Sequence, residues 1–310
     1  MSYNSSYMSF EQAVSAELER VLSMESGGSA VSAESVAPCG CPFPAVASCE
    51  AGGCGIWSLA SGSRANCTLI STGKRRILVD FGLSCRMAKK LLSELSVNIA
   101  DIDAVFITHE HSDHVSGLAT LFKNYGIPVH MTEPTFLAYT RGRGFDFRDR
   151  ITVHPLEYEV ELGGVTVRSH PVSHDSAACV AYSVRGDGVS FCICTDLGYM
   201  SEGAFEALAC SRDVIIESNH DLAMLKYGTY PEELKRRILS RSGHLSNADC
   251  GAVLVKLASL GVKRALLAHV SPENNTPELA LQSAIEALEK GGQSLEYLAV
   301  APRLSPIRLV

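Results

Sequence analysis

The sequence predicts a layered α/β protein, and three observations carry that expectation. Short apolar runs rich in β-branched residues alternate with segments of helical length and capping along most of the chain. Several apolar runs end in a histidine or an aspartate, at His109, His174, Asp196, His220 and His269. In layered α/β proteins, ligands gather at a sheet edge where strand ends and loops meet, so clustering of these side chains is the economical expectation. The chain has 310 residues, 46% of them hydrophobic, enough for a sizeable core.

Composition also excludes function classes. No run of about 18 apolar residues exists, so no membrane span is expected. The N-terminus lacks a basic segment followed by an apolar one, and a cytoplasmic location is expected. A formal net charge of -7 argues against a generally basic nucleic-acid binder. The chain has 11 cysteines, and many, such as Cys192 and Cys194, sit within strand-like runs, where reduced core thiols are the expectation.

Residues 1–53 read as an N-terminal extension. Phe10, Val14, Leu18 and Leu22 recur at helical spacing, predicting a helix over 10–24, and Ser, Ala, Gly and Pro then dominate as in a flexible segment. Cys39, Cys41, Cys49 and Cys54 fit no standard zinc hooks and are expected to be free.

Residues 54–310 form the predicted folded domain. Strands are expected over 56–60 and 67–71, joined by a turn-rich loop of Ser61, Gly62, Ser63, Arg64, Ala65 and Asn66. A strand over 76–79 ends in Asp80, which is expected to hydrogen-bond a ligand histidine rather than bind metal. A helix over 86–95 leads to an apolar strand from Ala104 to Thr108. A helix over 115–125, a strand over 127–131 and a strand-rich stretch from Ile151 follow, with His130 and His154 read as structural. Between them, four arginines and two phenylalanines from Arg141 to Arg150 form either a phosphate-gripping, base-stacking loop or a solvated one. Further strands are expected over 165–168, 180–184, 189–195, 214–218, 264–268 and 295–299. Arg185-Gly-Asp-Gly188 marks a hairpin. Helices are expected over 231–240, from the cap Ser246 to Leu260, and from Thr276-Pro277 to Lys290.

The densest chemistry follows the Ala104 strand, at His109, His111, Asp113 and His114. Four metal-capable side chains within six residues converge only if the backbone turns there. Imidazole nitrogen and carboxylate oxygen together suit zinc, manganese or iron(II).

His-Glu-His-Ser-Asp-His, with a later His, Asp and His, resembles the metallo-β-lactamase superfamily from about Gly55 to about Leu288. Ser-Leu-Ala-Ser-Gly-Ser, Thr-Asp-Leu-Gly-Tyr, Glu-Ser-Asn-His-Asp, Gly-His-Leu-Ser-Asn and Glu-Asn-Asn-Thr-Pro-Glu-Leu-Ala look like its WalJ (YycJ) branch. The resemblance implies a four-layer αββα sandwich with its site along one edge of the two sheets. It implies two divalent metal ions, one on His109, His111 and His174, the other on Asp113, His114 and His269, with Asp196 bridging. Asp113 and Asp196 then serve catalysis as metal-holding carboxylates. His244 resembles a histidine that sits beside the metals and is the candidate general acid. Ser61, Ser63, Arg64, Asn66, Asn219 and His220 are implied substrate-binding residues, although Arg64 and Ala65 depart from the family's usual loop.

The implied activity is phosphodiester hydrolysis by a metal-bridging hydroxide, as a 5′-to-3′ DNA exonuclease. The implied partner is nucleic acid, with DNA first. A small-molecule cyclic phosphodiesterase, an RNA-processing nuclease and a thioester or lactam hydrolase are alternatives. Di-iron redox relatives typically have Glu where this chain has His111. The oligomeric state is left open, a dimer being one option.

Overall fold

The computed structural model describes residues 54–142 and 148–310. The expected extension 1–53 and residues 143–147 of the arginine-rich loop lie outside the described residues.

The first half of the chain builds β1 (Cys54–Ala60), β2 (Cys67–Thr72), β3 (Arg76–Val79), β4 (Ala104–Phe106), β5 (Val129–Thr132) and β6 (Ile151–His154). β1, β2 and β3 pair as an antiparallel meander, and β3 to β6 run parallel. The second half repeats this scheme. β7 (Glu159–Glu161), β8 (Thr166–Val172), β9 (Cys179–Gly186) and β10 (Val189–Cys194) are antiparallel, and β10 is followed in parallel by β11 (Asp213–Glu217), β12 (Arg264–Ala268) and β13 (Tyr297–Val300). The last strand, β14 (Ile307–Arg308), returns to pair with β1. Among the described residues there are thus two sheets of seven strands each.

Side-chain alternation explains the layers. Ile56, Ile70, Ile77, Val79 and Phe106 of the first sheet face Val167, Val180, Tyr182, Phe191, Ile215 and Leu266 of the second, forming the core between the sheets. The opposite face of the first sheet is covered by α1 (Cys85–Glu94), α2 (Ser112–Val115), α3 (Leu118–Asn124) and α4 (Glu133–Thr140), through residues such as Leu92, Leu121 and Phe136. The outer face of the second sheet is covered by α5 (Glu202–Ala209), α8 (Asn247–Ser259) and α9 (Pro277–Lys290), through Leu208, Leu254 and Ala284. Helices α6 (Leu222–Tyr227) and α7 (Glu232–Ile238) precede α8. The order helix, sheet, sheet, helix is the αββα sandwich that the family resemblance implied. Among the described residues, no helix is long and apolar enough to cross a membrane.

Local chemistry sets the boundaries. Thr276 accepts a hydrogen bond from the Leu279 N–H, and Pro277 opens α9, whose buried Ala280, Ala284 and Leu288 recur every four residues. In the β9–β10 hairpin, Gly186 and Val189 pair across Asp187 and Gly188, both at positive φ, as a two-residue type I′ turn requires.

The helix expected over 115–125 is broken at Ser116–Gly117 into α2 and α3. The Gly117 N–H donates to the Phe81 carbonyl at 3.0 Å, and a Cβ there would lie 2.0 Å from the Leu83 oxygen. The chain turns because its backbone packs directly on the loop after β3. His130 and His154 form a structural pair, linked at 2.9 Å, with His130 stacked on Phe106 and His154 on Tyr158.

Candidate metal centre

The chemistry-bearing side chains meet where the strands of both sheets end. His109 follows β4, His174 follows β8, Asp196 follows β10, and His269 follows β12. Cys179 at the start of β9 brings its Sγ to 3.6 Å from His109 Nδ1, across the sheet interface. Three strand-end residues, Asp80, Asp196 and His269, adopt left-handed backbone, with φ of 62°, 59° and 55°. That conformation is uncommon outside glycine and costs about 1–3 kcal/mol each. It turns the chain sharply, aiming each side chain back over the sheet edge.

The ligand atoms fall into overlapping groups, the members of each lying within 4.8 Å of one another: His109, His111 and His174; Asp113, His114 and His269; and His109, His114 and Asp196. A further group joins Asp196, Glu217, His244 and His269. His174 Nε2 lies 3.3 Å from His111 Nδ1, and Asp113 Oδ2 lies 3.3 Å from His114 Nε2 and 3.6 Å from His269 Nε2. Asp196 faces both sides, with Oδ2 at 3.4 Å from His114 Nε2 and Oδ1 at 3.9 Å from His174 Nε2.

These contacts fit cations better than they fit each other. His109 Nε2, His269 Nε2 and Asp196 Oδ2 are buried and make no hydrogen bond. Buried polar atoms are rarely left so, and three of them within this cluster of histidines and carboxylates mark a place for cations. Burial, followed by the neighbouring His114, His174 and His111, holds the His109 imidazole well below its usual pKa, in the neutral form that binds metal. Burial also opposes charge on His114 and His269, but nearby carboxylates outweigh it and raise both well above the usual value. For His114 these are Asp80, Asp196 and Asp113; for His269 they are Asp196, Asp113 and Glu217. A buried set of carboxylates draws either protons or divalent ions.

The far nitrogen of each inner imidazole is held by the protein. His114 Nδ1 donates to Asp80 Oδ2 at 2.8 Å, while Asp80 Oδ1 accepts from the Thr108 N–H at 2.9 Å. Asp80 thus stands behind His114. His174 Nδ1 donates to the Gly243 carbonyl at 3.2 Å. Glu217 escaped the sequence reading. Fully buried at the end of β11, its Oε1 accepts from His269 Nδ1 at 2.7 Å and from His244 Nδ1 at 2.9 Å. Its Oε2 accepts from the N–H groups of Leu197 and Leu245, at 3.1 and 3.0 Å. His244 and His269 hold it below the usual carboxylate range despite burial. The available signal was a charged residue closing the apolar run Val214–Ile216, in register with Ala268 of β12.

The remaining sequence-selected residues divide by exposure. Ser63 and Arg64 are exposed at the tip of the β1–β2 loop. Ser61 is buried and accepts from the His269 N–H at 2.8 Å. Asn66 is buried too: Oδ1 accepts from the Gly62 N–H, and Nδ2 lies 3.0 Å from Asp113 Oδ2. Asn219 Nδ2 donates to the His269 carbonyl at 2.8 Å, at the edge of a small cleft. His220 is buried, belongs to none of the ligand groups, and sits behind the centre, where its carbonyl accepts from the Asn247 N–H at 2.9 Å. The polar atoms of Ser61 and Asn66 are thus engaged in holding the centre, and Asn219 combines that work with a place on the cleft wall. His244 lines the same cleft, its side chain 22% exposed.

Gly82 marks the tightest approach. A Cβ there would lie 1.6 Å from the Asp113 carbonyl oxygen and 2.9 Å from the Asn66 nitrogen. Gly82→Ala is expected to lower stability by about 3 kcal/mol or more. The urea midpoint and the metal content should fall together, whereas a wild-type midpoint would show that this backbone contact is not required.

The metallo-beta-lactamase superfamily model matches residues 61–269. The chain belongs to that superfamily and shares a branch with two curated relatives. Exodeoxyribonuclease YycJ of Bacillus anthracis is 36% identical over 234 residues, covering 76% of this chain and 89% of the relative. Exodeoxyribonuclease WalJ of Streptococcus pneumoniae serotype 2 (strain D39) is 37% identical over 232 residues, covering 74% and 86%. Among solved structures, the metallo-beta-lactamase fold protein YhfI from Bacillus subtilis superposes with a TM-score of 0.59 at 15% identity, over 82% of this chain and 98% of that one, a likeness of fold.

Proposed function

We propose that this chain is a phosphodiesterase that degrades DNA from a 5′ end, using two divalent ions. The observation that carries this reading is the meeting of His109, His111 and His174 with Asp113, His114 and His269 around Asp196. The names and extent of the two exodeoxyribonuclease relatives support the substrate class. His109, His111 and His174 would hold one ion, Asp113, His114 and His269 the other, and Asp196 would touch both. The donor set admits zinc, manganese or iron. Such ions supply an acidified water and neutralise the charge that builds on a phosphate.

The protein's own groups do the rest. Asp80, Glu217 and the Gly243 carbonyl orient the imidazoles. His244 lines the cleft with Nδ1 committed to Glu217, so its other nitrogen, Nε2, is the one available to protonate the departing alkoxide. His244→Ala is expected to keep its metal content while turnover falls by about 10²–10⁴-fold. Loss of an ion in that variant, read by elemental analysis, would reassign His244 as a ligand.

The test of function is cleavage by the manganese-loaded protein of 5′-labelled duplex DNA, single-stranded DNA, RNA and a cyclic phosphodiester. Stepwise shortening of DNA from the 5′ end is the expected result. Hydrolysis of the cyclic phosphodiester with no DNA cleavage would contradict the exonuclease reading and favour a small-molecule substrate.

A further inference from the structure

Two cavities flank the tip of the β1–β2 loop, and Ser63 lines both. The smaller, of about 160 Å³, contains His244, Asn219, Tyr230 and Arg237. The larger, of about 360 Å³, lies on the other side and contains Arg64 and Arg303. The loop between them is fixed to the metal-ligand residues. Ser61 holds the His269 N–H, Asn66 contacts Asp113, and Gly82 in the wall of the larger cavity packs on the Asp113 backbone. The larger cavity therefore lies against the backbone of Asp113 and His269, through Gly82 and Ser61, and the smaller contains His244.

We propose that the larger cavity is a binding site for a nucleoside 5′-monophosphate unit of the substrate strand. Its chemistry matches both halves of such a ligand. Arg64 and Arg303 are exposed, and among the described residues neither makes a hydrogen bond or an ion pair. No carboxylate belongs to the lining, so two guanidiniums face an acid-free space, the arrangement that suits phosphate oxygens. Leu83, Met87 and Leu304 form an apolar wall, and Leu304 is 47% exposed at its rim. A planar base is covered by such a wall, which inorganic phosphate would leave unused. The volume falls within the range of small-ligand sites.

This assignment rests on the phosphodiesterase reading: the attacked phosphate would sit among the clustered histidines and carboxylates, and the larger cavity would hold a neighbouring nucleotide of the same strand.

Calorimetric titration of the full chain with thymidine 5′-monophosphate, thymidine and inorganic phosphate tests this. The 5′-monophosphate should bind more tightly than either fragment. Arg303→Ala should weaken it by about tenfold or more, and Arg303→Lys by less, because an ammonium lacks the guanidinium fork. Leu304→Asp, which puts a carboxylate at the rim, should weaken it as well. Equal affinity in wild type, Arg303→Ala and Leu304→Asp would overturn the proposal, as would no binding of the 5′-monophosphate. DNA cleavage by the same wild-type sample separates the two readings. Cleavage without nucleotide binding removes only this site, and nucleotide binding without cleavage of any phosphodiester removes the proposed activity and leaves the site.

Discussion

Asp196→Ala is expected to reduce bound metal from about two ions per chain to less than one, and to cut phosphodiester turnover by about 10³-fold or more. Asp196 is the carboxylate that approaches residues of both proposed sets, with Oδ1 at 3.3 Å from His269 Nδ1 and 3.9 Å from His174 Nε2, and Oδ2 at 3.4 Å from His114 Nε2. Its Oδ2 is buried without a hydrogen bond, 3.4 Å from His114 Nε2, so a bound cation would offset its cost of burial. Removing it takes the carboxylate out of the group that joins His109 of one proposed set to His114 of the other. Elemental analysis of the purified variant reads the outcome directly. Two retained ions would show that Asp196 does not join the sites.

Glu217→Gln carries the second large effect, and it distinguishes an orienting carboxylate from a ligand. Every donor around Glu217 points inward: two imidazole Nδ1–H groups and two backbone N–H groups. Glutamine has the same shape but presents an N–H₂ to donors at one end. A buried donor left facing a donor costs about 1–3 kcal/mol, and such outer partners are worth about 10–100-fold in metal affinity. Weaker metal binding, read by competition with a chelator, should therefore accompany a lower melting temperature and slower turnover. A variant that melts like wild type and holds metal as tightly would contradict the role of Glu217 as the brace of His269 and His244.

Much of this architecture was legible because few physical patterns generate it. Strand 76–79, strand 264–268 and the helix from Pro277 to Lys290 have the expected limits, since clean apolar runs and a Thr-Pro cap leave little ambiguity. The cluster from His109 to His114 announced itself by density alone. Helices α4, α5 and α6 were not anticipated. α4 has no amphipathic stripe to read, and α6 is only six residues long. Glu217 closes an apolar run, and the more conspicuous polar residues Asn219, His220 and Asp221 follow it. His220 lies behind the centre and Glu217 within it, a difference of register that only the pairing of β11 with β12 decides. The engagement of Ser61 and Asn66 with His269 and Asp113 spans long sequence separations, which no local pattern encodes.

The most direct test is anomalous diffraction from crystals of the manganese-loaded protein. The account predicts two peaks about 3.5–4 Å apart. One should lie among His109, His111 and His174, the other among Asp113, His114 and His269, with the Asp196 carboxylate contacting both. A single peak, or peaks elsewhere on the molecule, would contradict it.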